Sequence, residues 1–358
     1  MNYKGEMIFT RALIEAMGYS EYPLTDLIEV HFGILRAYSL RGMRFEQNSE
    51  VKQSKVISIA NRCTIVIAQS INKASEMLVG EVFTEDEQKW LSDRKVEPPF
   101  LLIYFREAFP KELRGGYRQE KDGYIFTYDA FPEGKKEITE WEDEAIPGIV
   151  TSLIINFSTL GRPIDLVLIE RSILGITSKG QKLFNHKLTG GVVASSVSSP
   201  KKLEEIDTLL EKSKELLPVL TKDVCRNFYE ALNEPDKMKQ FLGYFQFIEK
   251  YTNITFKSLN YSNDVQEVFN VPDRIKEQSI EFFKLIFRDQ KNLSQRFCWC
   301  SIFAWGKVED SDIVFFLEIK DIRNAISHGD HIEEKDLPVD KAKVLALKLL
   351  GHAKPNKT

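Results

Sequence analysis

Cysteine is scarce in this chain. The four present, Cys63, Cys225, Cys298 and Cys300, are too few and too scattered for a disulfide framework. Cys298-Trp299-Cys300 brings two thiols close together. No second pair of ligands follows at suitable spacing, so reduced structural thiols are expected and no metal site is read. Net charge is also slight, −4 with a pI near 5.9. That excludes a polycation that coats nucleic acid, and any such site has to be a local patch. No apolar run approaches the ~20 residues that cross a bilayer. The first residues, MNYKGEMIFTRALIEAMGY, break their apolar pattern with Glu6 and Glu15 and lack an uninterrupted signal-peptide core. A cytoplasmic protein without a membrane partner is expected. A phosphate-cradling loop is missing as well. Gly175-x4-Gly180-Gln181-Lys182 has glutamine where the lysine must stand, so nucleotide binding is not expected and no cofactor is read.

What is present is an ordinary globular composition, 43% hydrophobic and 28% charged, over 358 residues. That length exceeds one typical core and suggests two domains. In the first half, FTRALIEAM and LTDLIEVHFGILRAYSL space their apolar residues like helices, and Thr25 or Asp26 is placed to cap the second. Strand-like runs follow: VISIANRCTIVIAQ, FLLIYF, YIFTYDAF, IVTSLIINF and IDLVLIERSILGI, with a helix around TEDEQKWLSDR between them. Residues 1–195 are thus expected to form an α+β domain with a mostly antiparallel sheet.

Val193 to Pro200, VASSVSSP, reads as a linker. Beyond it the pattern is helical. KKLEEIDTLLEKSKELL is amphipathic. Pro235-Asp236 opens a helix with Met238, Phe241, Phe245, Ile248 and Tyr251 on one face, and Pro272-Asp273 opens another. Ser311 or Asp312 is placed to cap IVFFLEIKDIRNAIS, whose buried stripe is read as Phe315, Ile319, Ile322 and Ile326. Pro338 precedes the last helix. Residues 196–358 are expected to be an all-α bundle.

The stretch KDIRNAISHGD, Lys320 to Asp330, carries the chemistry. Asn324 and His328 share one helical face, Arg323 and Ser327 the adjacent one. Gly329 suits the left-handed residue that ends a helix, which puts His328 in the last turn, where free carbonyls favour a cation. A histidine there can take or give a proton, and an arginine one turn back can grip a phosphate bidentately. Asn324 can orient either group. These groups suit metal-free RNA cleavage, in which a ribose 2′-hydroxyl attacks the adjacent phosphorus. One histidine cannot serve both sides of an in-line displacement, so two copies of the chain should face each other.

Arg323-Asn324-x3-His328 resembles the R-x4-6-H motif of the HEPN superfamily. Ser327-His328-Gly329 is similar to its Apea-like and abortive-infection branches, as is KMKQFLGYFQFIEKYTNI, with Ile248-Glu249 near its end. The resemblance covers the C-terminal helical domain only. Of the histidines, only His328 has an arginine five positions before it. Some branches carry a tyrosine two residues past the histidine, where this chain has Asp330. The resemblance implies a HEPN-like helical bundle, a homodimer through the motif helices, and a metal-independent endoribonuclease with RNA as substrate, acting in phage defence or as a toxin. By position, Arg323 and His328 take the two key roles and Asn324 the polar position after the arginine. Ser327 and Glu249 are read as supporting residues, Glu249 through a salt bridge that orients Arg323. The alternative that the resemblance leaves is a catalytically inactive HEPN-like RNA-binding or dimerisation module. A first domain that restrains or targets such an enzyme, through a phage or regulatory ligand, follows by analogy.

Two weaker patterns remain. Asp312-x5-Glu318-x-Lys320 faintly matches a restriction-type metal core, which would need these residues on neighbouring strands. RAYSLRGMRF (Arg36, Arg41, Arg44) and ELRGGYRQEK (Arg114, Arg118) are basic stretches that could guide RNA.

Overall fold

The computed structural model of the protein describes residues 11–47, 50–60, 62–80, 89, 96–121, 123–128, 132–159, 163–185, 199–259, 273–275, 277–279, 281, 285–286 and 292–352. The chain divides into two compact units: residues 1–144 with 156–214, and residues 145–155 with 215–358. The division does not fall at 195/196. Residues Ser199–Lys201 (β9) pair in parallel with Met43–Phe45 (β2), so the chain is still stitched into the first unit there. The helix that follows belongs to that unit through Lys214, and Lys55 N–H donates to its Asp207 Oδ1 at 3.0 Å.

The first unit is built on a seven-stranded, mostly antiparallel sheet. Its strands are β1 (Ser20–Arg41), β3 (Ile57–Ala60), β4 (Cys63–Ala68), β5 (Phe100–Lys121), β6 (Tyr124–Tyr128), β7 (Asp165–Thr177) and β8 (Lys182–Asn185). β1 pairs with both β5 and β7. Because β7 pairs with β8, β8 with β6 and β6 with β5, the pairings close into a ring. Helix α1 (Ile71–Val79) packs on β4 and β5.

Two segments differ from the sequence expectation. LTDLIEVHFGILRAYSL is strand, part of β1, not helix. From Phe32 to Leu40 every position is buried, so both faces of the strand are covered and the alternation that marks a half-exposed strand is erased. Asp26 is not a cap; it accepts from Arg118 Nη1 at 3.0 Å. Conversely, IVTSLIINF is helix. It ends α2 (Pro132–Phe157), where Ile146, Ile149, Val150, Leu153, Ile154 and Phe157 are buried at helical spacing. The nine-residue window hid that period. The helix expected around TEDEQKWLSDR and most of the linker and of DRIKEQSIEFFKLIF lie outside the described residues. The strand runs in FLLIYF, VISIANRCTIVIAQ and IDLVLIERSILGI are present as β5, β3–β4 and β7.

Helix α3 (Leu203–Leu216) follows β9. The second unit is helical: α4 (Lys222–Asn233), α5 (Lys237–Ser258), α6 (Leu293–Phe303), α7 (Asp310–His328) and α8 (Val339–Leu350). Its core is aromatic, with Phe228, Phe241, Phe245, Phe247, Phe297, Trp305 and Phe316 buried together. Asp236 caps α5, accepting from Lys239 N–H at 2.9 Å. The cap of α7 is Glu309 rather than Ser311 or Asp312. Asp312 sits one turn in, where it accepts the Glu309 N–H at 2.8 Å.

Candidate active site

The motif lies on the C-terminal half of α7, and the core decides which way it points. Phe316 and Ile319 are the fully buried residues of this helix, with Phe315, Ile322 and Ile326 packed less completely. Phe316 lies face to face with Phe297 of α6, centroids 3.9 Å apart, and 6.4 Å from Phe245 of α5. Residues 316, 320, 323 and 327 follow one another at helical spacing on one stripe. The stripe starts in the core and reaches the surface at Lys320, Arg323 and Ser327.

Arg323 is held on several sides. Its guanidinium lies over the Phe245 ring, 5.2 Å from the centroid. Nη2 donates to Glu249 Oε2 at 3.2 Å and Nη1 to Asn324 Oδ1 at 3.0 Å. These bonds engage two of the five guanidinium donors. Arg323 remains 34% exposed and Glu249 35%. The fork is thus oriented before any ligand arrives and still has donors to offer an oxyanion. Ser327 Oγ donates back to the Arg323 carbonyl at 2.9 Å and is spent on its own helix.

His328 is exposed and ends the helix. Gly329 follows with φ +89°, a conformation that L side chains rarely adopt, and its N–H bonds to the Ile326 carbonyl while that of Asp330 bonds to Ala325. His328 belongs to a second stripe, residues 310, 314, 317, 321, 324 and 328, at alternating spacings of four and three. This seam carries two exposed apolar side chains, Val314 (56%) and Leu317 (40%). Asn324 lies on the same seam and binds Arg323 on the neighbouring stripe, so it joins the histidine face to the arginine face.

The remaining sequence candidates fall elsewhere. Arg118 is fully buried, bound to Asp26 and lying 4.7 Å from the Tyr22 ring centroid. Arg36 is buried against Glu142 at 3.2 Å. Neither can meet RNA. Arg44 is exposed, Arg41 half-buried, and Arg114 is exposed but pairs with Glu112 at 2.7 Å. Strand register separates the two basic stretches. Arg114 stands opposite Leu27, whereas Arg41 ends β1 fourteen residues on, roughly 45 Å along the strand. They do not make one patch. Asp312, Glu318 and Lys320 all lie on α7 rather than on strands, and Asp312 binds Lys348. Among the described residues no cluster of histidine, cysteine or carboxylates could hold a metal. The Cys300 thiol, pushed up to about 12 by burial, donates to the Thr252 carbonyl.

No family model, curated protein or solved structure matches this chain. Sequence reasoning missed three features of the site: the Phe245 ring beneath Arg323, Lys320 one turn before it, and the apolar half of the His328 seam. The seam's spacing is legible in the sequence. It was masked because Val314 and Leu317 sit in a run, IVFFLEI, where nearly every residue is apolar.

Proposed function

We propose that the protein is a metal-independent endoribonuclease of HEPN type, working as a homodimer through α7. The observation that carries this reading is the Arg323 guanidinium, clamped by Phe245, Glu249 and Asn324 yet a third exposed, one turn from an exposed His328. A purely structural arginine would be expected to bury its fork or spend all its donors.

In the reaction, the His328 imidazole takes the proton of a ribose 2′-hydroxyl. The freed oxygen attacks the adjacent phosphorus, and Arg323 neutralises the charge that builds on the non-bridging oxygens. The P–O5′ bond breaks. The leaving oxygen takes a proton from His328 of the second copy, giving a 2′,3′-cyclic phosphate and a 5′-hydroxyl. The seam supports such pairing, since it exposes Val314 and Leu317 on the same face as Asn324 and His328. Phage defence or a toxin role fits an enzyme that must be held in check, and the first unit would carry that control.

The test is incubation of the purified protein with total RNA in the presence of EDTA. Cleavage to products with cyclic phosphate ends, abolished in Arg323→Ala and His328→Ala variants that still fold, is the expected result. Intact RNA with the wild-type dimer, or cleavage that survives both substitutions, removes the assignment and leaves a helical binding module.

A further inference from the structure

Two more cations share the ground around Arg323. Lys320 lies one turn before it on the same stripe of α7, half-buried, and its ammonium donates to Ser294 Oγ of α6 at 2.8 Å. Arg296, also half-buried on α6, donates from Nη1 to Asn253 Oδ1 at 2.6 Å and lies 5.5 Å from the Phe256 ring centroid. Asn253 stands one turn beyond Glu249 on α5. Three ties, Arg323–Glu249, Lys320–Ser294 and Arg296–Asn253, therefore join α5, α6 and α7 in a triangle, with a cation in each. Lys320 is held by a neutral hydroxyl, and among the described residues no carboxylate lies within ion-pair distance of it. Among the described residues, the first turn of α6 beside it carries no acidic side chain.

We propose that Lys320 and Arg296 form a phosphate-tracking row that continues from Arg323 and holds the backbone of single-stranded RNA next to the scissile linkage. This rests on the ribonuclease reading for the identity of the ligand. The physical case is that each cation is partly exposed and oriented by a fixed neighbour, and that the three ties link α5, α6 and α7. Lys320 keeps a charge that the fold does not neutralise. A row of this kind gives affinity and register without sequence preference, because it meets phosphates rather than base edges.

The test measures binding rather than cleavage. A fluorescein-labelled single-stranded RNA of about 12 nucleotides with 2′-O-methyl riboses cannot be cut, and its affinity is read by anisotropy over about 50–300 mM salt. Lys320→Gln and Arg296→Gln are each expected to flatten the plot of log affinity against log salt by about 0.7, the loss of one phosphate contact on a single strand. Lys320→Arg should restore the slope. The two residues sit on different helices, so if one variant fails to fold by circular dichroism the other still decides. Unchanged slopes in the charge-neutral variants, or no binding by the wild type, overturn the proposal. Binding with these slope changes, by a protein that leaves natural RNA whole, would sink the nuclease reading and keep the row as a single-strand-binding surface without a scissile linkage beside it.

Discussion

Glu142 and Glu249 each hold arginine, and they do so in different surroundings. Glu142 of the first unit is 3% exposed. It receives Arg36 at 3.2 Å and also Arg171, which approaches one oxygen with both Nε and Nη2. The two arginines stand opposite each other on the paired strands β1 and β7. Glu249 of the second unit receives one arginine, and both partners are about a third exposed. The chemistry is the same, but burial assigns different work. Deep in the first unit the one carboxylate is spent on two guanidiniums, and burial keeps a ligand from reaching it. At the end of α7 water already screens the pair, so Arg323 can turn to a phosphate at little cost.

The largest expected effect breaks the buried side of that comparison. Glu142→Ala leaves two guanidinium groups facing each other without their shared counter-charge. It should destabilise the protein by about 3–5 kcal/mol. Glu249→Ala should cost no more than about 1 kcal/mol, since solvent screens the pair. Thermal or urea unfolding of the two variants checks this directly. Equal losses would mean that exposure does not separate the two pairs.

A smaller effect bears on the seam. Val314→Arg places a charge in the centre of the apolar half of the α7 stripe while leaving Arg323 and His328 untouched. If two copies meet there, the dimer should weaken ten- to a hundredfold, about 1.4–3 kcal/mol, as read by light scattering across a dilution series. Cleavage should fall with the dimer fraction. A variant that dissociates but cleaves at full rate would show that one histidine suffices.

The comparison also explains what could be read beforehand. The end of α7 was legible because its signals are local. Gly329 stops the helix, and Arg323 and His328 sit at fixed offsets from it. The clamp on Arg323 was legible only in part. Glu249 comes from a second helix and was singled out through resemblance, but Phe245 looked like any core aromatic. The buried cluster was not legible at all. Arg36 read as part of a basic surface stretch, because nothing within RAYSLRGMRF reveals that Glu142, more than a hundred residues away, lies over it. The misread strand β1 has the same cause. Its burial on both faces comes from segments distant in sequence, and a one-dimensional pattern does not carry that.

The smallest expected change separates two ways in which Glu249 could matter. If its role is positioning, what counts is an oxygen that accepts the Arg323 Nη2 hydrogen at 3.2 Å, not the negative charge. Glu249→Gln keeps such an oxygen and removes the charge. Glu249→Ala removes both, leaving the guanidinium on Phe245 and Asn324 alone. A fork misplaced by a fraction of an ångström loses alignment with the phosphorane, so Ala should lower cleavage roughly ten- to a hundredfold. Gln should recover most of that loss, with stability in both variants within about 1 kcal/mol of wild type. Rates and unfolding midpoints measured on the same preparations decide it. If Gln is as poor as Ala at unchanged stability, the carboxylate charge itself takes part in the reaction. Glu249 would then join Arg323 and His328 at the reacting phosphate instead of standing behind them.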